Sequence, residues 1–360
     1  MKKNIDRRAF IKGTSLAGLA GILTTSAAAN AIGIPHGSSV LNSRLGEEMD
    51  HSRKLSYNQN GKFKIVQFTD THYISGDSRS VRALKNVNEI LDIEKPDLVI
   101  HTGDVIFGKP AEASIREILD PISKRGIPFA VTFGNHDEEF DKSRKELYQI
   151  LKSIPYNISS TTEGISGVTN YILTLGSTGK KTIDRVLYLF DSNSYSKIKG
   201  IKGYDYIHYD QINWYRKQSM EFTRKNEGQP VPSLAFFHIP LLEHKEAAHN
   251  DGVVLSGTRG EATSSSNLNS GLFVSMKEMG DVQAIFLGHD HDNDYSLYWN
   301  EVFFIYGRYS GCDTVYNNLK PNGARVIELA EGEKGFRSWI RLSGGSIIQD
   351  MRYPDDFIKK

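Results

Sequence analysis

Cysteine is almost absent from this chain. Of 360 residues only Cys312 carries a thiol, so no internal disulfide can form and a small disulfide-braced scaffold is excluded. No apolar run reaches the roughly 20 strongly hydrophobic residues that a membrane span needs. No motif recurs at a fixed period and no segment is low in complexity, which excludes a solenoid or a repeat array. A strong charge of either sign is also missing: 44 basic and 43 acidic side chains leave a formal net charge of +1. Even that is misleading, because Lys2, Lys3, Arg7, Arg8 and Lys12 face one acid, Asp6, within residues 1–31. The remainder is mildly acidic, with no global field to gather nucleic acid or anionic lipid. What is left is an ordinary globular composition, 39% hydrophobic and 24% charged, long enough for one large domain or two modest ones.

The front of the chain reads as an address. Asp6-Arg7-Arg8-Ala9-Phe10-Ile11-Lys12 resembles the twin-arginine export signal. A weakly apolar run, Gly13 to Ala29, follows, and Ala29-Asn30-Ala31 or Ala27-Ala28-Ala29 offers a small-x-small cleavage site. Thr14, Ser15, Thr24 and Thr25 spoil the apolar face of an amphipathic helix. Residues 1–31 are therefore expected to be a signal peptide, read by an export machinery that carries folded proteins to the periplasm or beyond. No cysteine follows the run, so no lipid anchor is expected. Residues 32–60 are polar and patternless and read as a linker to a domain over 61–360.

From Gly61 onward short apolar runs alternate with amphipathic stretches. Strands are expected over Phe63–Thr69, Asp97–His101 and Pro128–Phe133, with helices over 79–94 and 112–125 between them. Crossovers of that length make the three strands parallel, so their C-terminal ends open on one edge. Asp70, Asp104 and Asn135 stand at those ends and are expected in one cleft. The second half is richer in strand: Tyr171–Leu175, Arg185–Phe190, Leu234–Phe237, Gln283–Leu287, Tyr295–Trp299 and Val302–Tyr306, with helices at 210–226 and near 272–279. Two more strands end in polar clusters, at His238 and at Gly288-His289-Asp290-His291. Residues 241–271 read as one long polar loop.

Five strand ends thus carry Asp70-Thr71-His72, Gly103-Asp104, Gly134-Asn135-His136-Asp137, His238 and Gly288-His289-Asp290-His291. In this order they resemble the calcineurin-like metallophosphoesterases, over about residues 61–310. The resemblance implies a four-layer α/β/β/α sandwich with two mixed sheets over 61–360. It implies two transition-metal ions, Fe, Mn or Zn. Asp70, His72, Asp104 and His291 match the ligands of one, and Asp104, Asn135, His238 and His289 those of the other. It further implies hydrolysis of a small phosphomonoester by a metal-bound hydroxide, with His136 as general acid; the alternative is a phosphodiesterase or nucleotidase on the same site. Nitrogen and oxygen donors without thiolate suit those metals, and two cations on one carboxylate are the pattern of two-metal hydrolases. A histidine, which titrates near neutrality, suits proton donation to a leaving oxygen. In the purple acid phosphatase branch a tyrosine follows the Gly-Asp motif and colours the ferric iron. Here Phe107 holds that place, which points away from that branch. A scaffold that kept the fold without turnover would have lost a ligand or His136, and none is lost.

Other residues invite weaker readings. Asp137 could orient its neighbour His136. Asn135 and Arg308 are candidates to touch substrate phosphate, Arg308 through its guanidinium, with a surface salt bridge as the alternative for Arg308. Asp290 is expected to support the histidines beside it, and His101 to be structural. His244 and His249 are expected to be solvated on the long loop. Tyr204, Tyr206 and Tyr209 are expected half-buried, with stacking on a substrate ring as the sharper possibility. Asn293-Asp294 and Asn269-Ser270-Gly271 read as turns.

The export reading predicts that replacing Arg7 and Arg8 together by Lys strands the precursor in the cytoplasm, because a receptor reads the pair rather than its charge. Cell fractionation checks this, and unchanged export of that variant would point to the general secretory route.

Overall fold

The computed structural model describes residues 53–179 and 182–357. The expected signal peptide and the first part of the expected linker lie outside them. Among the described residues no helix is long and apolar enough to cross a membrane.

Six strands build one sheet: β2 (Lys62–Phe68), β3 (Leu98–Thr102), β4 (Phe129–Thr132), β12 (Gly323–Ala330), β13 (Phe336–Leu342) and β14 (Ile347–Tyr353). Their order is β14-β13-β12-β2-β3-β4, with β2, β3 and β4 parallel and the rest antiparallel. The other sheet has eight: β1 (Arg53–Ser56), β5 (Tyr171–Gly176), β6 (Ile183–Leu189), β7 (Ser233–Phe236), β8 (Leu255–Ser256), β9 (Val282–Leu287), β10 (Ser296–Trp299) and β11 (Val302–Tyr306). Its order is β1-β5-β6-β7-β9-β11-β10-β8, and β6, β7, β9 and β11 run parallel.

Alternation along the strands explains the layers. Successive side chains point to opposite faces, so Ile65, Leu98, Ile100, Leu234, Phe236, Ala284 and Phe286 meet between the sheets. Their neighbours Val66, Phe68, Val99 and Val131 face outward onto α1 (Val81–Glu94), α2 (Ala111–Lys124) and α3 (Arg144–Lys152). Ala235, Phe237, Ile285 and Leu287 face α4 (Tyr209–Lys225), α5 (Leu242–Ala248) and α6 (Leu272–Met279). Helices present one apolar stripe in return: Ile115, Ile118, Leu119 and Ile122 of α2 recur at spacings of three and four and are all buried. The expected α/β/β/α sandwich of two mixed sheets is the fold observed.

Three expectations need correction. Residues 53–56 of the expected linker are β1, which pairs in parallel with β5, and Tyr57 after it is buried. The expected loop 241–271 contains α5 and β8. Beyond Tyr306, where no element was expected, three antiparallel strands complete the first sheet.

Sheet stacking brings the C-terminal ends of β2, β3 and β4 against those of β7 and β9. Gln67 ties the edges together, its amide donating to the Leu287 carbonyl at 3.1 Å and to Thr102 Oγ1 at 2.9 Å. The loops then approach so closely that several positions have no room for a side chain, Gly134 and Gly288 among them. A Cβ on Gly134 would overlap the Asp104 carboxylate, and one on Gly288 would overlap Thr69 Oγ1 and Asp70. Gly134→Ala and Gly288→Ala are each expected to destabilise the fold by about 1–3 kcal/mol through overpacking. Gly176→Ala, whose Cβ would meet nothing nearer than a carbonyl at 3.8 Å, should stay within about 0.5 kcal/mol. Urea unfolding of the three variants checks the contrast.

Candidate metal centre

Each strand end turns sharply as it delivers its side chain. Asp70, His72, Asp104 and His289 adopt positive φ of 54°, 45°, 51° and 80°, a region that side chains other than glycine rarely occupy. Backbone hydrogen bonds hold these turns across the loops. Asp70 N–H donates to Gly103 O at 3.0 Å, His72 N–H to Asp104 O at 3.0 Å, and His289 N–H to the Asp70 carboxylate.

The seven expected ligands converge and are all buried. Six of them form two groups, Asp70 with His72 and His291, and Asp104 with His238 and His289, each with ligand atoms within 4.8 Å of one another. Asp104 joins the groups through a single oxygen: Oδ2 lies 3.8 Å from His72 Nε2 and 3.1 Å from His238 Nε2. That oxygen has no partner beyond these histidines, while the other, Oδ1, accepts the His136 N–H at 2.8 Å. Asn135 Oδ1 is buried without a partner as well.

The histidines are prepared as ligands. His238 Nδ1 donates to the Thr102 carbonyl at 2.8 Å and His291 Nδ1 to the Tyr316 carbonyl at 2.8 Å, which leaves each Nε2 facing the carboxylates. His72 Nε2 meets His291 Nε2 at 3.1 Å, and His289 Nδ1 meets His238 Nε2 at 3.2 Å. Burial holds His72 and His289 well below the usual imidazole range and brings His291 down to about 4. Ring nitrogens packed this closely around two carboxylates are placed to share cations. His238 departs from this pattern: burial would keep it neutral, yet contact with Asp104 lifts it to about 9. Burial, opposed by His238, raises Asp70 to about 7, whereas for Asp104 burial is outweighed by the histidines around it, His238 foremost. Two orphaned oxygens and two pairs of facing ring nitrogens are a donor set that fits two cations.

His136 stands beside this centre, its ring 5.5 Å from that of His72 and 4.9 Å from that of Phe107. Its orienting carboxylate is not Asp137. Asp137 is turned inward to accept the N–H groups of Asp104, Val105, Ile106 and Gly134 at 2.8–3.1 Å, where it clamps two ligand loops together. Glu139 takes that place instead, with Oε2 2.7 Å from His136 Nδ1. A carboxylate accepts only, so Nδ1 carries the proton toward Glu139 and Nε2 is the nitrogen left for chemistry.

Arg308 is also corrected. It is buried in an ion pair with Asp294 at 2.5 Å and donates to the Pro321 carbonyl at 2.7 Å, which leaves it no reach toward a substrate. His244 is not solvated: its ring stacks on Phe304 at 4.0 Å and burial lowers its pKa to about 3. His249 is exposed beside Arg259. His101 is buried against Thr71 Oγ1 at 2.9 Å. Asp290 accepts from Ser264 N–H and from the Tyr306 hydroxyl, behind its two histidines. Of the three tyrosines, Tyr204 presents its ring to the edge of His289 at 4.3 Å, Tyr206 stacks on His208, and Tyr209 is exposed. Asn269 accepts from Gly271 N–H as a turn residue, while Asp294 is a buried ionic partner rather than a turn former.

Sequence reasoning passed over Glu139, Tyr195 and Tyr316. Tyr195 Oη lies 2.5 Å from Glu139 Oε1 and 3.2 Å from Asn135 Nδ2, and the Tyr316 ring is 4.5 Å from His291. A signal for Tyr195 was present. The strand Arg185–Phe190 also ends in a polar run, Asp191-Ser192-Asn193, on the same edge as the five others.

Comparison with known proteins agrees with this geometry. The calcineurin-like phosphoesterase family model matches residues 63–293. An Arabidopsis thaliana protein named probable inactive purple acid phosphatase 29 is 33% identical over 331 residues, covering 81% of this chain and 85% of that protein. Phosphatase DCR2 of Saccharomyces cerevisiae is 31% identical over 332 residues, covering 81% of this chain and 56% of the yeast protein. Among solved structures, a dimetal phosphatase from Danio rerio superposes with a TM-score of 0.57 at 13% identity, over 81% of this chain and 98% of that one. The chain belongs to the calcineurin-like phosphoesterase family, on a branch related to the purple acid phosphatases but distinct from them.

Proposed function

We propose that this chain is an exported phosphohydrolase that holds two transition-metal ions and cleaves small phosphomonoesters, with His136 as general acid. The observation that carries the reading is Asp104 Oδ2, a buried carboxylate oxygen with no other partner that faces both histidine groups at once. Asp70, His72 and His291 would hold one ion, and Asn135, His238 and His289 the other, with Asp104 shared. Two ions held there supply Lewis acidity to water and to phosphate oxygens alike. His136 Nε2 donates the proton that the leaving oxygen needs, and Glu139 holds the ring for that step. Tyr204 lies against His289 and Tyr316 against His291, and aromatic rings so close to the centre favour a substrate with one ester arm over one with two. The word inactive belongs to the name of the plant relative; all seven ligand positions and His136 are filled and assembled in this chain.

Assay of metal-loaded protein against monoesters, diesters and nucleotides tests the substrate class, and faster turnover of diesters would replace the monoester reading while leaving the site intact. Elemental analysis of the mature chain is expected to approach two ions. Asp104→Asn should lower the occupancy of both together, whereas loss of a single ion would show that Asp104 is not shared.

The role of His136 is read by leaving-group dependence. His136→Ala should lose about 10²–10⁴-fold on alkyl phosphates, whose alkoxide departs badly without a proton. The loss should be clearly smaller on nitrophenyl phosphate, whose phenolate departs unaided. Equal losses on both, with metal content intact, would mean that His136 positions phosphate instead.

A further inference from the structure

The residues around His136 form a directed chain of hydrogen bonds that runs back to a metal position. Glu139 Oε2 meets His136 Nδ1 at 2.7 Å, Glu139 Oε1 meets Tyr195 Oη at 2.5 Å, and Tyr195 Oη meets Asn135 Nδ2 at 3.2 Å. Direction follows from the inventory of donors. An ionised carboxylate can only accept, so the one hydroxyl proton of Tyr195 points at Glu139. The hydroxyl then has only lone pairs to offer Asn135, and the group facing it must be the amide N–H. An asparagine amide has no shape preference between its oxygen and its nitrogen, so such a partner decides which atom points where. Here Oδ1 is turned the opposite way, buried and without a partner, as a metal ligand must be.

The tyrosine ring is braced independently of its hydroxyl. It stacks on Tyr204 at 5.8 Å with planes 23° apart, the two residues share a β-bridge, and Tyr204 in turn abuts His289. Ser194 Oγ donates to the Asn135 carbonyl at 3.2 Å and ties the same loop to the same ligand.

We propose that Tyr195 is a positioning residue, polarised by Glu139, that fixes the Asn135 amide with its oxygen toward the metals and holds Glu139 on His136. One carboxylate thereby sets both the tautomer of the proton donor and the orientation of a ligand it does not touch. The inference rests on reading Asn135 as a ligand and His136 as the acid.

Tyr195→Phe keeps the ring and its stacking and removes only the hydroxyl. Dialysis of wild type and variant against chelator-buffered Zn(II), with the visible spectrum of the Co(II)-loaded protein as a second readout, measures the two sites apart from turnover. Tyr195→Phe is expected to weaken one ion by about 10–100-fold, the usual effect of removing a group that orients a ligand, and to leave the other near wild type. Glu139→Gln is expected to do the same although it touches no ligand atom, because a carboxamide can donate to Tyr195 and reverse the chain. In both variants alkyl phosphates should lose more rate than nitrophenyl phosphate. Wild-type affinities and an unchanged Co(II) spectrum in both variants would overturn the inference while leaving the two-metal reading in place. A wild-type chain that binds no second ion would sink that reading and the inference with it.

Discussion

The arrangement of the site follows from one buried carboxylate. Asp104 sits where the edges of two sheets meet, out of water, and a lone ionised group in such a place is expensive unless other charges or donors meet it. Every neighbour answers that demand. The His136 N–H takes one oxygen, His238 and His72 face the other, and Asp137 behind clamps the Asp104 loop without adding a donor of its own. Histidines alone could compensate only by charging, and four imidazoles packed this closely cannot all charge at once. A pair of cations would satisfy the whole cluster, so the candidate metal centre and the local fold are one electrostatic problem.

The two sheets are what bring the donors to that point. Parallel strands end on one edge, and stacking two such sheets face to face doubles the number of ends in reach of a single cavity. Hydrophobic contact between the sheets, from Ile65 and Leu98 on one side to Phe236 and Phe286 on the other, fixes the separation. Polar ties from Gln67 to the Leu287 carbonyl and from His238 to the Thr102 carbonyl fix the register at the edge. Precision in the site is inherited from the core, which is rigid because it is close-packed.

Much of this was legible in the sequence, and the parts that were not share a cause. The strand ends announced themselves, since an apolar run that stops at Asp70, Asp104, Asn135, His238 or His289 needs only parallel topology to gather its polar residue with the others. Glu139 was missed in favour of Asp137 because adjacency in sequence says nothing about direction in a tight loop; Asp137 turns in to four N–H groups and Glu139 turns out to His136. Arg308 and His244 failed in a similar way. Their burial is set by partners remote in sequence, Asp294 and Phe304, which no local pattern shows. The strands after Tyr306 escaped because charged residues interrupt them: Arg325 is buried behind the Tyr306 carbonyl, and β14 is an exposed edge.

The left-handed turns at Asp70, His72, Asp104 and His289 set stability and chemistry in opposition. Glycine at any one of them would relax the backbone by roughly 1–2 kcal/mol and delete a ligand in the same step. Mutation away from metal binding would therefore recover backbone strain, set against the acceptors that Asp70 and Asp104 supply to the His289 and His136 N–H groups. A lineage released from catalysis could shed its ligands and become sturdier, keeping the sandwich as an inert scaffold. All four turns of this chain carry a ligand-type side chain, so the strain is borne at the positions where two ions would be held.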